Sequence, residues 1–160
     1  MLFTANLKRT LTIFTLVTLT LCFLSSCAKR RAAKQAEKDE QIILDYIDEM
    51  GLTASRTEEG LYYVIDQLGT GDYPTVTSNV TVAYTGYFTD GSIFDGSSSS
   101  GITFNLQNVI DGWIIGIPKF KEGGNGTLLI PSALGYGPNP TGSIPANSVL
   151  IFDVELIDIP

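Results

Sequence analysis

The run Asn79 to Phe88, NVTVAYTGYF, alternates in polarity with period two and is rich in β-branched and aromatic residues. Such a run suits a strand with one buried face and does not suit a helix. It commits the second half of the chain to a sheet. Leu61 to Ile65, Gly126 to Ile130 and Val149 to Ile157 offer further strands, and Asp90-Gly91 marks a tight turn. Gly96 to Gly101, GSSSSG, reads as a flexible loop. Gly112 to Phe120 is the helix candidate within this region, with Pro118 ending it. Many strands and one short helix to cover them give an α+β class with a mainly antiparallel sheet.

The N-terminus has a different character. Lys8 and Arg9 precede an apolar run that ends at Leu24-Ser25-Ser26-Cys27. The run is shorter than the roughly 20 residues of a membrane span and fits the apolar region of a signal peptide, with an uncleaved membrane anchor as the alternative. Small residues before a cysteine resemble the lipobox of bacterial lipoproteins. That resemblance implies removal of residues 1–26, acylation of Cys27 and a lipid-anchored place in the bacterial cell envelope, at the outer membrane. Lys29, Arg30, Arg31 and Lys34 make residues 27–36 a basic tether, which can meet anionic headgroups or stay solvated. Within residues 37–59, Glu37 to Met50 reads as an amphipathic helix. Ile43, Ile47 and Met50 lie on one face, with Ile42 and Tyr46 beside them, and Gly51 stops it. It is too short for a coiled-coil dimer arm, so a monomer is expected. Residues 60–160 form the main domain.

Composition removes several classes of function. The chain has no histidine, so His-based acid–base catalysis and Ser-His-Asp triads are excluded. Its cysteines, Cys22 and Cys27, lie before the domain, which therefore contains no disulfide and no cysteine metal site. From Gly60 to Pro160 nine acidic residues face two lysines, Lys119 and Lys121. A domain so poor in cations is a poor binder of nucleic acid. No metal and no cofactor are expected.

The aromatic residues fall into blocks. Val82-Ala83-Tyr84-Thr85-Gly86-Tyr87 is followed by Asp90-Gly91-Ser92-Ile93-Phe94-Asp95, Val109-Ile110-Asp111-Gly112-Trp113 and Leu134-Gly135-Tyr136-Gly137. Ile144-Pro145 and Leu150-Ile151-Phe152-Asp153-Val154-Glu155-Leu156 close the series. Singly, each block could be core. In this order and spacing they resemble FKBP-type peptidyl-prolyl cis–trans isomerases, closely from Val80 to Asp158 and more loosely from Leu61 to Asn79. The resemblance implies a twisted antiparallel sheet wrapped around a short helix. It makes Trp113 the floor beneath a proline ring. Tyr84, Phe94, Val109, Ile110, Tyr136 and Phe152 become walls, and Asp95 a rim group hydrogen-bonded to Tyr84. The Ile110 N–H would hold a substrate carbonyl, Ile144 would sit on a flap, and Ile102 would replace an aromatic wall residue. Departures from the family pattern occur at Gly96, in the short Ser-rich loop that lacks an arginine partner for Asp95, at Pro138-Asn139-Pro140 and at Ile115.

The implied activity suits this composition. An X–Pro bond isomerises without any covalent bond forming or breaking, so no nucleophile or metal is required. The site must bind the twisted amide more tightly than the planar one. An aromatic cleft accepts a proline ring, and a few fixed polar groups orient the peptide. Asp95, set among rings, is expected to be partly withdrawn from water. The implied partners are proline-containing polypeptides of the envelope and macrolide inhibitors of the rapamycin type. Competing readings are a non-catalytic peptide-binding or chaperone module and a structural lipoprotein. Asp90 and Asp95 as a glycosidase pair form a weaker one, because Asp-Gly is chiefly a turn signal.

Overall fold

The computed structural model describes residues 28–160. The signal-peptide reading of residues 1–26 and the lipidation of Cys27 lie outside the described residues. Among the described residues no helix is long and apolar enough to cross a membrane. A compact unit runs from Ala36 to Pro160, and the residues before it belong to a separate one.

The alternating run forms β3 (Asn79–Tyr87), one of two nine-residue strands in an antiparallel sheet. Val80 and Val82 turn inward and are fully buried. β3 pairs along β7 (Leu150–Asp158), which pairs in turn with β6 (Gly124–Ile130) and then β2 (Tyr62–Gln67). A two-residue edge strand, β1 (Ser55–Arg56), completes that side. On its other edge β3 is shared: its first half pairs with β5 (Ile102–Asn105) and its last residues with β4 (Ile93–Gly96). The Asp90-Gly91 turn forms as expected, with Gly91 at φ 82°. The Ser-rich segment is less free than its composition implies. Gly96 ends β4, and Ser97 clasps Tyr84, donating its N–H to the Tyr84 carbonyl and accepting the Tyr84 N–H on its Oγ, at 3.0 and 2.9 Å.

The covering helix is shorter than expected. α2 spans Asp111–Gly116 and passes into a 3-10 turn, Ile117–Lys119. Pro118 has no N–H to continue α-helical bonding, and the Phe120 N–H closes the tighter turn on Ile117 at 3.1 Å. Gly112 and Gly116 let α2 approach β6 closely. A Cβ at Gly112 would lie 2.5 Å from Ile130 Cγ2, and one at Gly116 would lie 2.7 Å from Leu128. This approach seats Trp113, Ile117 and Phe120 in the main core with Leu61, Leu106, Leu128, Ile130 and Leu150.

The N-terminal helix α1 covers residues 28–50, so the stretch read as a tether up to residue 36 is helical. Ile43 is fully buried against Tyr62, Val64, Leu129 and Val149, with Ile42, Tyr46 and Ile47 packed around it. Met50, expected on the same face, is instead 56% exposed. The reason is the helix stop. Gly51, at φ 63°, donates to the Asp48 carbonyl, and Leu52 donates back to Ile47 at 2.9 Å. This paired closure turns the chain, and Leu52 rather than Met50 joins the apolar cluster. Arg56 then pairs with Glu40 through Nε at 3.0 Å and Nη2 at 3.1 Å, and the Tyr62 hydroxyl donates to the same carboxylate at 2.6 Å. The Arg56 and Tyr62 hydrogen bonds hold the Glu40 carboxyl below its ordinary range.

Candidate functional site

A cleft of about 430 Å³ opens where β3, β5, β7 and the start of α2 converge. Tyr84, Asp95, Ile102, Phe104, Asn108, Val109, Ile110, Trp113, Tyr136 and Phe152 line it. Tyr84, Asp95, Ile102, Phe104 and Phe152 come from strands, Asn108, Val109 and Ile110 from the segment entering α2, Trp113 from α2 itself and Tyr136 from the loop beyond the 3-10 turn Ser132–Leu134. The close glycine contacts of α2 fix the depth of Trp113, which is 5% exposed. Its indole meets Tyr84 edge-on at 5.0 Å and Phe152 edge-on at 5.2 Å, with interplanar angles of 89° and 87°. Such T-shaped contacts suit the aromatic quadrupole and hold the rings in one arrangement. The indole Nε1 is buried without a hydrogen-bond partner among the described residues.

Tyr84 carries the main polar feature. Its hydroxyl donates to Asp95 Oδ2 at 2.9 Å, and the Gly96 N–H donates to Asp95 Oδ1 at 2.8 Å. Burial first, and then the bond to Asp95, push the Tyr84 phenol up to about 12. Tyr84 is therefore a firmly protonated donor at neutral pH. Asp95 itself is exposed, contrary to the expectation that the rings withdraw it from water. β4 ends beside it, so its second face opens to solvent. Among the described residues no lysine or arginine pairs with it. The lysines of this half of the chain lie over other rings, Lys119 over Tyr63 and Lys121 over Tyr73.

Val109 and Ile110 form the lip at the entry to α2. Ile110 accepts the Trp113 and Ile114 N–H groups, at 2.9 and 3.2 Å, on its carbonyl. No group among the described residues accepts its own N–H, which remains free for a ligand carbonyl. Ile102 is half-exposed at the rim. Phe94 and Ile144 are placed differently from the rest. Phe94 lies outside the lining, edge-on behind Phe152 at 5.5 Å and beside Phe88 at 4.9 Å. Ile144 is 7% exposed and packs into the main core. Its backbone exchanges both hydrogen bonds with Thr141, at 3.0 and 2.9 Å, and its side chain lies within the core cluster and not in the cleft lining. Two lining residues were not anticipated. Phe104 packs against Trp113 with ring centroids 5.4 Å apart and the planes tilted by 52°. Asn108 ends the 3-10 turn Leu106–Asn108 ahead of Val109. Phe104 lies two residues beyond Ile102 on the same face of β5, and that period-two relation was the available signal.

The arrangement is an apolar, aromatic-floored cleft with a hydroxyl–carboxylate pair at the rim and a free backbone donor at the lip. It can hold a small apolar ring and orient the amide beside it. No cluster of metal-ligating side chains occurs among the described residues.

The sequence profile of the family described as FKBP-type peptidyl-prolyl cis-trans isomerase matches residues 71–157. FKBP-type peptidyl-prolyl cis-trans isomerase FkpA of Aeromonas hydrophila is 41% identical over 134 residues, which is 82% of this chain and 49% of that protein. FkpA of Buchnera aphidicola subsp. Schizaphis graminum is 48% identical over 108 residues, 66% of this chain and 43% of that protein. The crystal structure of FkpA from Escherichia coli superposes with a TM-score of 0.69 at 32% identity, covering 92% of this chain and 71% of that one. The chain thus spans about half the length of the curated relatives it matches.

Proposed function

Because this chain belongs to the FKBP-type peptidyl-prolyl cis–trans isomerase family, we propose that it catalyses rotation about X–Pro bonds in proteins of the bacterial envelope. The observation that carries the proposal is the cleft floored by Trp113 and walled by Tyr84, Phe104 and Phe152. A proline ring seats on the indole, and the free Ile110 N–H takes a carbonyl of the peptide. The planar ground-state amide is the more dipolar species and loses more hydration in an apolar cleft than the twisted one. The cleft therefore favours the twisted state, and each ~1.4 kcal/mol of that preference raises the rate tenfold. Tyr84, kept protonated, and Asp95 orient the peptide at the rim and carry no proton in the reaction.

The catalytic unit is carried by a lipid on Cys27, and macrolides of the rapamycin type compete for the same cleft. A protease-coupled isomerisation assay on a proline tetrapeptide tests the activity. We expect turnover that persists in EDTA; loss on chelation with recovery on adding a divalent ion would overturn this account. Mass spectrometry of the native protein tests the anchor, with an acylated N-terminal Cys27 expected and an unmodified Met1 contradicting it. The second reading, a binding module without turnover, has one supporting observation: the exposure of Asp95, which leaves the rim more open to solvent than the aromatic floor.

A further inference from the structure

Asp39 is an unusual residue to find inside this protein. It lies on α1, far in sequence from the cleft and outside the family-matched segment, yet it is 0% exposed. A buried carboxylate is costly unless its hydrogen bonds are met. One oxygen of Asp39 accepts both the Ser132 N–H at 2.9 Å and the Ser132 hydroxyl at 2.6 Å. Ser132, itself 2% exposed, opens the 3-10 turn Ser132–Leu134 that leaves β6.

The Ser132 carbonyl continues the chain of contacts. It accepts the Gly135 N–H at 3.1 Å and the Gly137 N–H at 2.8 Å, the two amides on either side of Tyr136. The Gly137 carbonyl then accepts from Asn147 at 2.8 Å. Tyr136 lines the cleft but is 36% exposed and is not among the residues packed on the main core. Its place is set by the backbone of its own loop rather than by side-chain packing. That backbone is fastened, through Ser132, to Asp39.

We propose that Asp39 is a positioning residue for the cleft, fixing the Tyr136 wall from α1 through Ser132. The inference rests on the isomerase reading of the cleft. Helix docking alone does not account for the arrangement, because Ile43, one turn along α1, already supplies a fully buried apolar anchor in a cluster with Tyr62, Val64, Leu129 and Val149. Asp39 adds what Ile43 cannot, a directional pair of hydrogen bonds to the turn that carries a cleft residue.

The test compares Asp39→Ala, Asp39→Asn, Ser132→Ala and Ile43→Ala in the full-length chain in detergent micelles. Amide hydrogen exchange at Gly135 and Gly137 is read together with kcat and KM for a proline tetrapeptide. For Asp39→Ala we expect Gly137 exchange to quicken about tenfold and KM to rise about threefold to tenfold, with kcat within about twofold of wild type. Asp39→Asn restores most of both, because its amide oxygen can accept the same two bonds. Ser132→Ala keeps the N–H bond and should give an intermediate KM, which decides the matter if Asp39→Ala does not fold. Ile43→Ala should lower Tm while leaving Gly137 exchange and KM near wild type. Unchanged Gly137 exchange in Asp39→Ala, a wild-type KM in Ser132→Ala, or equal changes in Ile43→Ala would each overturn the proposal. Absence of turnover in the wild-type chain would instead overturn the isomerase reading, while exchange at Gly137 would still decide whether Asp39 holds the loop.

Discussion

Replacing Trp113 separates what the cleft floor does for stability from what it does for turnover. The indole is almost wholly buried and touches Tyr84, Phe152 and Phe104 at 5.0, 5.2 and 5.4 Å. Trp113→Ala removes those contacts and leaves a cavity, at a cost of about 3–5 kcal/mol. A domain of this size is stable by about 5–15 kcal/mol, so the variant should fold at low temperature with a clearly reduced Tm. Turnover falls for a separate reason. Trp113 leaves little of its indole exposed, so one face of a proline ring seated on it hides about 40–60 Å² of apolar surface in all, equivalent to about 1–1.5 kcal/mol. That predicts a loss of about fivefold to tenfold in kcat/KM. Trp113→Phe gives the complementary result. Nε1 has no hydrogen-bond partner among the described residues, so removing it breaks no bond. The phenyl ring keeps an apolar floor, and kcat/KM should stay within about threefold of wild type. The assay is isomerisation of a proline peptide at a temperature where urea titration shows each variant folded. Two results would refute the reasoning: a folded Trp113→Ala variant with near wild-type turnover, or a Trp113→Phe variant as impaired as Trp113→Ala.

Further outcomes follow from the site and its support. The Tyr84 phenol is raised from 10.0 to about 12, so the folded state keeps a proton that the unfolded state releases. Its contribution to stability is complete below pH 10 and is lost as pH rises toward 12. The Tm difference between wild type and Tyr84→Phe should therefore shrink across that window; a difference independent of pH contradicts the assignment. Asp95→Asn keeps an acceptor for Tyr84 and should lower kcat/KM less than Trp113→Ala does, as paired assays will check. Gly116→Ala would place a methyl 2.7 Å from Leu128 and 3.1 Å from Leu61, lifting α2 off β6. It should destabilise by about 1–3 kcal/mol in chemical denaturation, and a neutral result would mean that α2 is not held as tightly as its glycines imply.

The strands that build the cleft were readable because their residues obey one period. In β3, Val80, Val82 and Tyr84 fall on one face, and the structure buries or half-buries each of them. Trp113, Tyr136 and Phe152 were readable from motif order, and they do meet in one cleft. Other features left no periodic trace. β4 and β5 are four residues each and flank a Ser-Gly loop, so hydrogen bonds to β3 and not composition make them strands. Phe94 and Ile144 carry the right residue type, but their backbones direct them behind the cleft and into the core. Asp39 stands in a polar stretch of α1 where an aspartate reads as a solvated side chain. Its partner Ser132 lies 93 residues away, and such a pairing appears only once the sheet brings the two segments together.

Exchange spectroscopy on a proline tetrapeptide, with a trace of the full-length chain, measures the claim most directly. The account predicts cis–trans exchange far faster than the uncatalysed tens to hundreds of seconds, suppressed when a second proline peptide occupies the cleft. Peptide-induced shifts at Trp113 and Tyr84 with exchange left at the uncatalysed rate would contradict it, and would make the cleft a binding site alone.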